Sequence, residues 1–144
     1  MNIRGWKMED CIFCKIISKT VDAYMIYENE YVCCFLDKYP INKGHILVVP
    51  KKHYQEFREV DQESLSKISH ASQQVATALE GLLSTDGITI MQNNGIFKDI
   101  EHYHMHVIPR FKNDGFSWIE PKIEVTKEEF ISLSAKLGKV LKKN

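Results

Sequence analysis

Six histidines occur in this chain of 144 residues, and three of them alternate in Glu101-His102-Tyr103-His104-Met105-His106-Val107-Ile108-Pro109-Arg110. A period of two is that of a β-strand, so the pattern predicts His102, His104 and His106 on one face and Tyr103, Met105 and Val107 on the other. At the rise of a strand the imidazoles would stand roughly 6.5 to 7 Å apart. The apolar back suits burial against a core, whereas three imidazoles are costly to bury without a metal, an anion or hydrogen bonds. Imidazole is a competent nucleophile near neutral pH because much of it is unprotonated, and its attack on phosphorus gives a phosphoramidate that is readily broken again. Neighbouring imidazoles can neutralise the charge that builds on a phosphoryl group. Such a row can therefore supply nucleophile and anion clamp together with no catalytic metal. A metallohydrolase with all three rings around one ion conflicts with the strand spacing, which leaves His102 and His106 too far apart.

Cys11-Ile12-Phe13-Cys14 is a second constellation. Two thiols two residues apart make half of a zinc site, which needs four ligands. By spacing alone they also fit a redox pair, although the βαβ context of a thioredoxin-like motif is missing. Cys33 and Cys34 are adjacent in a predicted strand and point to opposite faces, so both cannot easily reach one ion; they read as small buried apolar groups. His45 and His53 bracket the strand His45-Ile46-Leu47-Val48-Val49-Pro50. His70, on a helix and with no sequence partner, reads as structural or surface.

The elements that must position these groups follow from patterning. Tyr24 to Glu28 and Tyr31 to Asp37 are rich in aromatic and branched residues around Asn29-Glu30, a hairpin. Pro40, Asn42, Lys43 and Gly44 make a loop before the third strand. A helix is predicted from Asp61, its cap, to about Leu83, with Leu65, Ile68, Ser72, Val75, Leu79 and Leu82 as the apolar stripe. A strand over Gly87 to Gln92 and the turn Asn93-Asn94-Gly95 lead to the histidine run. After a turn near Asn113 and Gly115, a second helix starts at Thr126, which forms a capping box with Glu129, and places Phe130, Leu133, Leu137 and Val140 on one face. Five strands, mostly hairpin-connected, with two main helices argue for an α+β fold around an antiparallel sheet.

The length suits one domain, residues 11–144, after a flexible N-terminal tail, 1–10, in which Met8 is an alternative start. Nineteen basic and nineteen acidic residues cancel, so composition gives no electrostatic case for wrapping nucleic acid or coating a membrane. The N-terminus lacks the apolar run of a secretion signal and no stretch is long enough to span a bilayer, so the expected compartment is the cytoplasm.

The His-x-His-x-His run followed by two apolar residues, together with the upstream Gly44-His45-Ile46-Leu47-Val48-Val49-Pro50-Lys51-Lys52-His53, resembles the histidine-triad (HIT) proteins, a family of nucleotide hydrolases and transferases. The resemblance runs from about Cys11 to Arg110. It implies a HIT-like fold, His104 as the nucleophile that takes the nucleotidyl group, and the His102 main-chain carbonyl as the group that fixes its tautomer. It also implies His106 and His45 at the α-phosphate, Asn94 holding that phosphate through its amide, Asp37 at the ribose hydroxyls, and Phe13, Ile16 and Phe35 in the base pocket. Bacterial relatives of the Cys-x-x-Cys type imply a structural zinc held by Cys11, Cys14, His53 and His102. Purine nucleoside phosphoramidates or dinucleoside polyphosphates are the implied substrates, and a homodimer the implied assembly. A nucleotide-binding regulatory module with little turnover is the alternative. One departure stands out: many relatives carry Gly-Gln and a Ser or Thr ahead of the triad, where this chain has Phe97-Lys98-Asp99-Ile100-Glu101. Lys98 would replace a neutral donor with a charge, and Asp99 would repel a phosphate if it pointed inward.

Overall fold

A computed structural model describes residues 10–143, so all of the expected tail except Asp10, and with it the alternative start at Met8, lies outside the described residues. Five strands form one antiparallel sheet: β1 (Met25–Glu28), β2 (Val32–Leu36), β3 (Ile46–Pro50), β4 (Gly87–Met91) and β5 (Met105–Arg110), in the order β1-β2-β3-β5-β4. The helices are α1 (Ile12–Ile17), α2 (Gln62–Leu83) and α3 (Lys127–Lys142). The fold is α+β, as the patterning predicts.

Alternation along the strands divides the core in two. Val32, Cys34, Ile46, Val48, Tyr103 and Val107 pack with Ile68, Ala71, Val75 and Leu79 of α2. Cys33, Phe35, Leu47 and Val49 face the other way, toward Cys11, Phe13 and Ile16 of the α1 region. Cys33 and Cys34 are thus buried on opposite faces of β2. Helix α2 starts where the sequence places it, with the Asp61 carboxylate accepting from the Ser64 amide at 2.8 Å, a cap of about 1 kcal/mol. The Tyr54 hydroxyl also donates to Asp61 and ties the loop after β3 to the helix start. His70 is on the exposed face of the helix.

Three expectations change. Leu82 is 83% exposed, and Leu83 carries the stripe onward from Leu79 at the i+4 spacing, against the loop at Gly44. Helix α3 forms with the Thr126–Glu129 capping box, but Phe130, Leu133, Leu137 and Val140 remain more than half exposed, so of the two main helices α2 alone packs on the sheet. The histidine strand is also shorter than the alternation suggests. Strand β5 begins at Met105, so His102 and His104 precede it. The β3–β5 register, Val48 opposite Met105, would if continued bring Val49 opposite His104 and then Pro50 opposite Tyr103. Proline has no N–H to give to a ladder. The Tyr103 amide donates to the Tyr54 carbonyl instead, and the Pro50 carbonyl meets the His102 ring.

Among the described residues no helix is long and apolar enough to cross a membrane. Gly44 holds the approach to His45 at φ +96°, and a Cβ there would meet Leu83 Cδ1 at 2.7 Å and Leu79 Cδ2 at 3.3 Å. Gly44→Ala is therefore expected to destabilise the fold by about 1–3 kcal/mol in urea unfolding, from left-handed strain plus crowding; an unchanged midpoint would contradict this placement.

Candidate active site

His104 sits at the point where the chain enters β5. Its Nδ1 lies 2.6 Å from the His102 carbonyl, and a carbonyl only accepts, so Nδ1 carries hydrogen and Nε2 is the nitrogen turned outward. Phe13 packs edge-on against the ring, centroids 5.2 Å apart at 82°, and fixes its plane. His106, the first histidine within the ladder, stands 4.9 Å from His104 ring to ring, closer than strand spacing because His104 lies before the paired segment.

A second chain of hydrogen bonds sets the tautomer of His106. The Ile41 amide donates to His45 Nδ1 at 3.0 Å, so the hydrogen of a neutral His45 is on Nε2. That nitrogen is 2.9 Å from His106 Nδ1, which accepts, leaving Nε2–H of His106 as a donor toward the cavity. Burial pushes His45 below the usual imidazole range, opposed by the nearby Asp37 charge. Burial, with help from His104 and His45, holds His106 at about 4. Both rings are therefore neutral donors or acceptors at neutral pH.

His104 and His106 stand at one end of a cavity of about 680 Å³, within the size range of small-molecule sites. Phe13, Ile16, Phe35, Leu47 and Ile100 make its apolar wall, and Asp37, Asp99, His104 and His106 its polar end. The Asp37 carboxylate accepts from the Tyr39 amide at 2.9 Å and stays partly open to the cavity. Two sequence-designated residues stand elsewhere. His45 is absent from the cavity wall and buttresses His106 from behind. The Asn94 amide is engaged by Gln92 and by the Phe57 N–H, outside the cavity wall. Patterning missed Tyr24 and Tyr39 at the rim; both flank strand ends, where exposed aromatics were the available signal.

The segment ahead of the triad divides its two charges. Lys98 is turned away from the cavity, its ammonium 2.5 Å from Glu56 and 3.3 Å from Glu101, with a side chain only 2% exposed. Asp99 faces inward, Oδ1 at 3.1 Å from His104 Nε2, while its side chain is 77% exposed.

His102 serves a different cluster. Its Nε2 donates to the Pro50 carbonyl at 2.8 Å, so the Nδ1 lone pair points at Cys11 Sγ (3.4 Å), Cys14 Sγ (3.5 Å) and His53 Nδ1 (3.1 Å). Cys14 Sγ is 3.2 Å from His53 Nδ1. These separations approach the edges of a tetrahedron with zinc-ligand bond lengths, about 3.3–3.8 Å. Burial and Cys11 push the Cys14 thiol up to about 12, while burial holds His102 at about 4. The four residues fit a tetrahedral metal site. Among the described residues no metal-capable group unites His102 with both other triad histidines.

Residues 18–113 match the HIT domain. The chain is 44% identical over 107 residues to an uncharacterised HIT-like protein of Methanocaldococcus jannaschii, covering 73% of this chain and 82% of the relative. It is 30% identical over 137 residues to an adenosine 5′-monophosphoramidase of Schizosaccharomyces pombe, covering 92% and 98%. Among solved structures, a HIT family protein from Bacillus anthracis superposes with TM-score 0.84 at 31% identity, covering 92% of this chain and 97% of that one. A zinc-bound histidine triad family protein from Mycobacterium smegmatis does so with TM-score 0.73 at 30% identity, covering 96% and 100%. With the histidine run, the cavity and the sheet all accounted for, the chain belongs to the HIT family.

Proposed function

We propose that this protein is a nucleotidyl hydrolase or transferase that cleaves purine nucleoside 5′-phosphate derivatives at the α-phosphate through a covalent nucleotidyl-histidine. The observation that carries this reading is the His104 ring, held by the His102 carbonyl so that Nε2 faces the cavity. In this reading Nε2 attacks phosphorus while the Nε2–H of His106 binds a phosphoryl oxygen whose charge grows in the transition state. His45 acts one step back, fixing the tautomer of His106. Asp37 accepts hydrogen bonds from the ribose, and Phe13, Ile16 and Phe35 hold the base by apolar contact. Asn94, outside the cavity wall and bonded to Gln92 and the Phe57 amide, would reach a phosphate only through its second Nδ2 hydrogen. Phosphoramidates are favoured by the activity named for the fission-yeast relative. The reading places the enzyme in the cytoplasm.

Cys11, Cys14, His53 and His102 would hold a structural zinc, supported by the converging lone pairs and by the zinc-bound mycobacterial neighbour. Bound there, the ion would neutralise the thiolates and cross-link the start of α1 to the chain entering β5. The assembly is read as a homodimer, supported by the edge of β4, which no strand of the described residues pairs and where Ile90 is 49% exposed, and by the apolar face of α3.

His104→Ala is expected to lower turnover of an adenosine phosphoramidate by ~10⁴-fold or more while adenosine monophosphate still binds in calorimetry; retained hydrolysis would defeat the reading, and binding without any wild-type turnover would favour the regulatory module. Metal analysis should find one zinc per chain. A structural ion present at 1,000 times its dissociation constant adds about 4 kcal/mol, so its removal should lower Tm by roughly 10 °C. Zinc-free protein with an unchanged Tm would remove the zinc assignment. Light scattering should give twice the chain mass, and a monomer at micromolar concentration would refute the dimer.

A further inference from the structure

Asp99 lies five residues ahead of His104, and its carboxylate meets the one nitrogen that the proposed reaction needs free. His104 Nδ1 faces a carbonyl and so already carries a hydrogen. Nε2 and Asp99 Oδ1, 3.1 Å apart, would oppose two lone pairs unless a proton lies between them. That proton must leave Nε2 before Nε2 can bond to phosphorus. We propose that Asp99 is a catalytic residue that takes this proton as His104 attacks and delivers it to the leaving group; the inference rests on the nucleotidyl-transfer reading above.

The surroundings support the assignment. Lys98, buried between Glu56 and Glu101, anchors the backbone beside Asp99, while the Asp99 side chain is mostly exposed and free to swing outward with its proton. His106 is a poor alternative, because a neutral ring whose only hydrogen is on Nε2 would become an imidazolate by donating it. Asp37 lies beside His45 and, in the reading above, is taken up by the ribose.

The Nε2 lone pair forms the N–P bond, the bond from phosphorus to the leaving nitrogen breaks, and that nitrogen keeps the electron pair and takes the proton from Asp99, departing as a neutral amine. Water then attacks phosphorus and gives a proton to Asp99, the His104–phosphorus bond breaks, and the nucleoside monophosphate leaves. The substrate class that follows is an amide of a basic amine, neutral or cationic, in preference to an anhydride with an anionic polyphosphate leaving group, which an ionised Asp99 would repel.

The test compares adenosine 5′-N-propylphosphoramidate, whose amine must be protonated to leave, with adenosine 5′-phosphorofluoridate, whose fluoride need not be. Single-turnover rates are measured for wild type, Asp99→Asn, Asp99→Glu and His104→Ala. Asp99→Asn should lose roughly 100-fold on the propylamide and at most about tenfold on the fluoridate. Asp99→Glu should recover part of the propylamide rate, which a damaged fold would not allow. Equal losses on both substrates, or none on either, would overturn the role of Asp99 while leaving nucleotidyl transfer standing. Inert wild type, or full activity in His104→Ala, would overturn the underlying reading and this inference with it.

Discussion

The hydrogen bond from His104 Nδ1 to the His102 carbonyl is the interaction on which the rest of the site depends. It decides which nitrogen of His104 faces the cavity, and it exists because the chain leaves the β-ladder just before that point. Pro50 ends the pairing partner, the Tyr103 amide turns to Tyr54, and the His102 carbonyl is left to the ring two residues on. The same residue contributes its own ring to the Cys11, Cys14 and His53 cluster. One residue thus joins the metal-capable cluster to His104.

Burying four imidazoles, three of them within five residues, is tolerable because each has partners of fixed polarity. His102 donates to Pro50, His45 accepts from Ile41, His106 accepts from His45, and His104 donates to His102. Each bond specifies the next tautomer, so the outward-facing atoms are determined by backbone groups remote from the cavity. Burial keeps His45, His102 and His106 below the usual imidazole range, which removes mutual charge repulsion at neutral pH.

Much of this was legible in the residues. The period of α2, the Asp61 and Thr126 caps and the five strands follow from local rules, and the split of the core follows from alternation in β2 and β3. The Cys and His groups meeting from positions 11, 14, 53 and 102 needed the family resemblance, because ligands so distant in sequence carry no local signal. The period of two at the triad was misleading about its N-terminal half, since alternation reports which way side chains point and not whether a partner strand is there. The turn of Lys98 away from the cavity and of Asp99 into it depended on Glu56, over forty residues upstream, and no local pattern encodes that pairing. The exposed apolar face of α3 shows the same limit: amphipathicity reports that a face seeks cover without saying what supplies it.

The proposed covalent bond from His104 to phosphorus is tested most directly by the stereochemistry of hydrolysis. Each in-line displacement inverts phosphorus, so two successive displacements restore its configuration. A substrate made chiral at the α-phosphorus with sulfur and hydrolysed in isotopically labelled water should give nucleoside phosphorothioate with net retention. Net inversion would mean that water attacks in a single step, and the covalent role of His104 would be wrong.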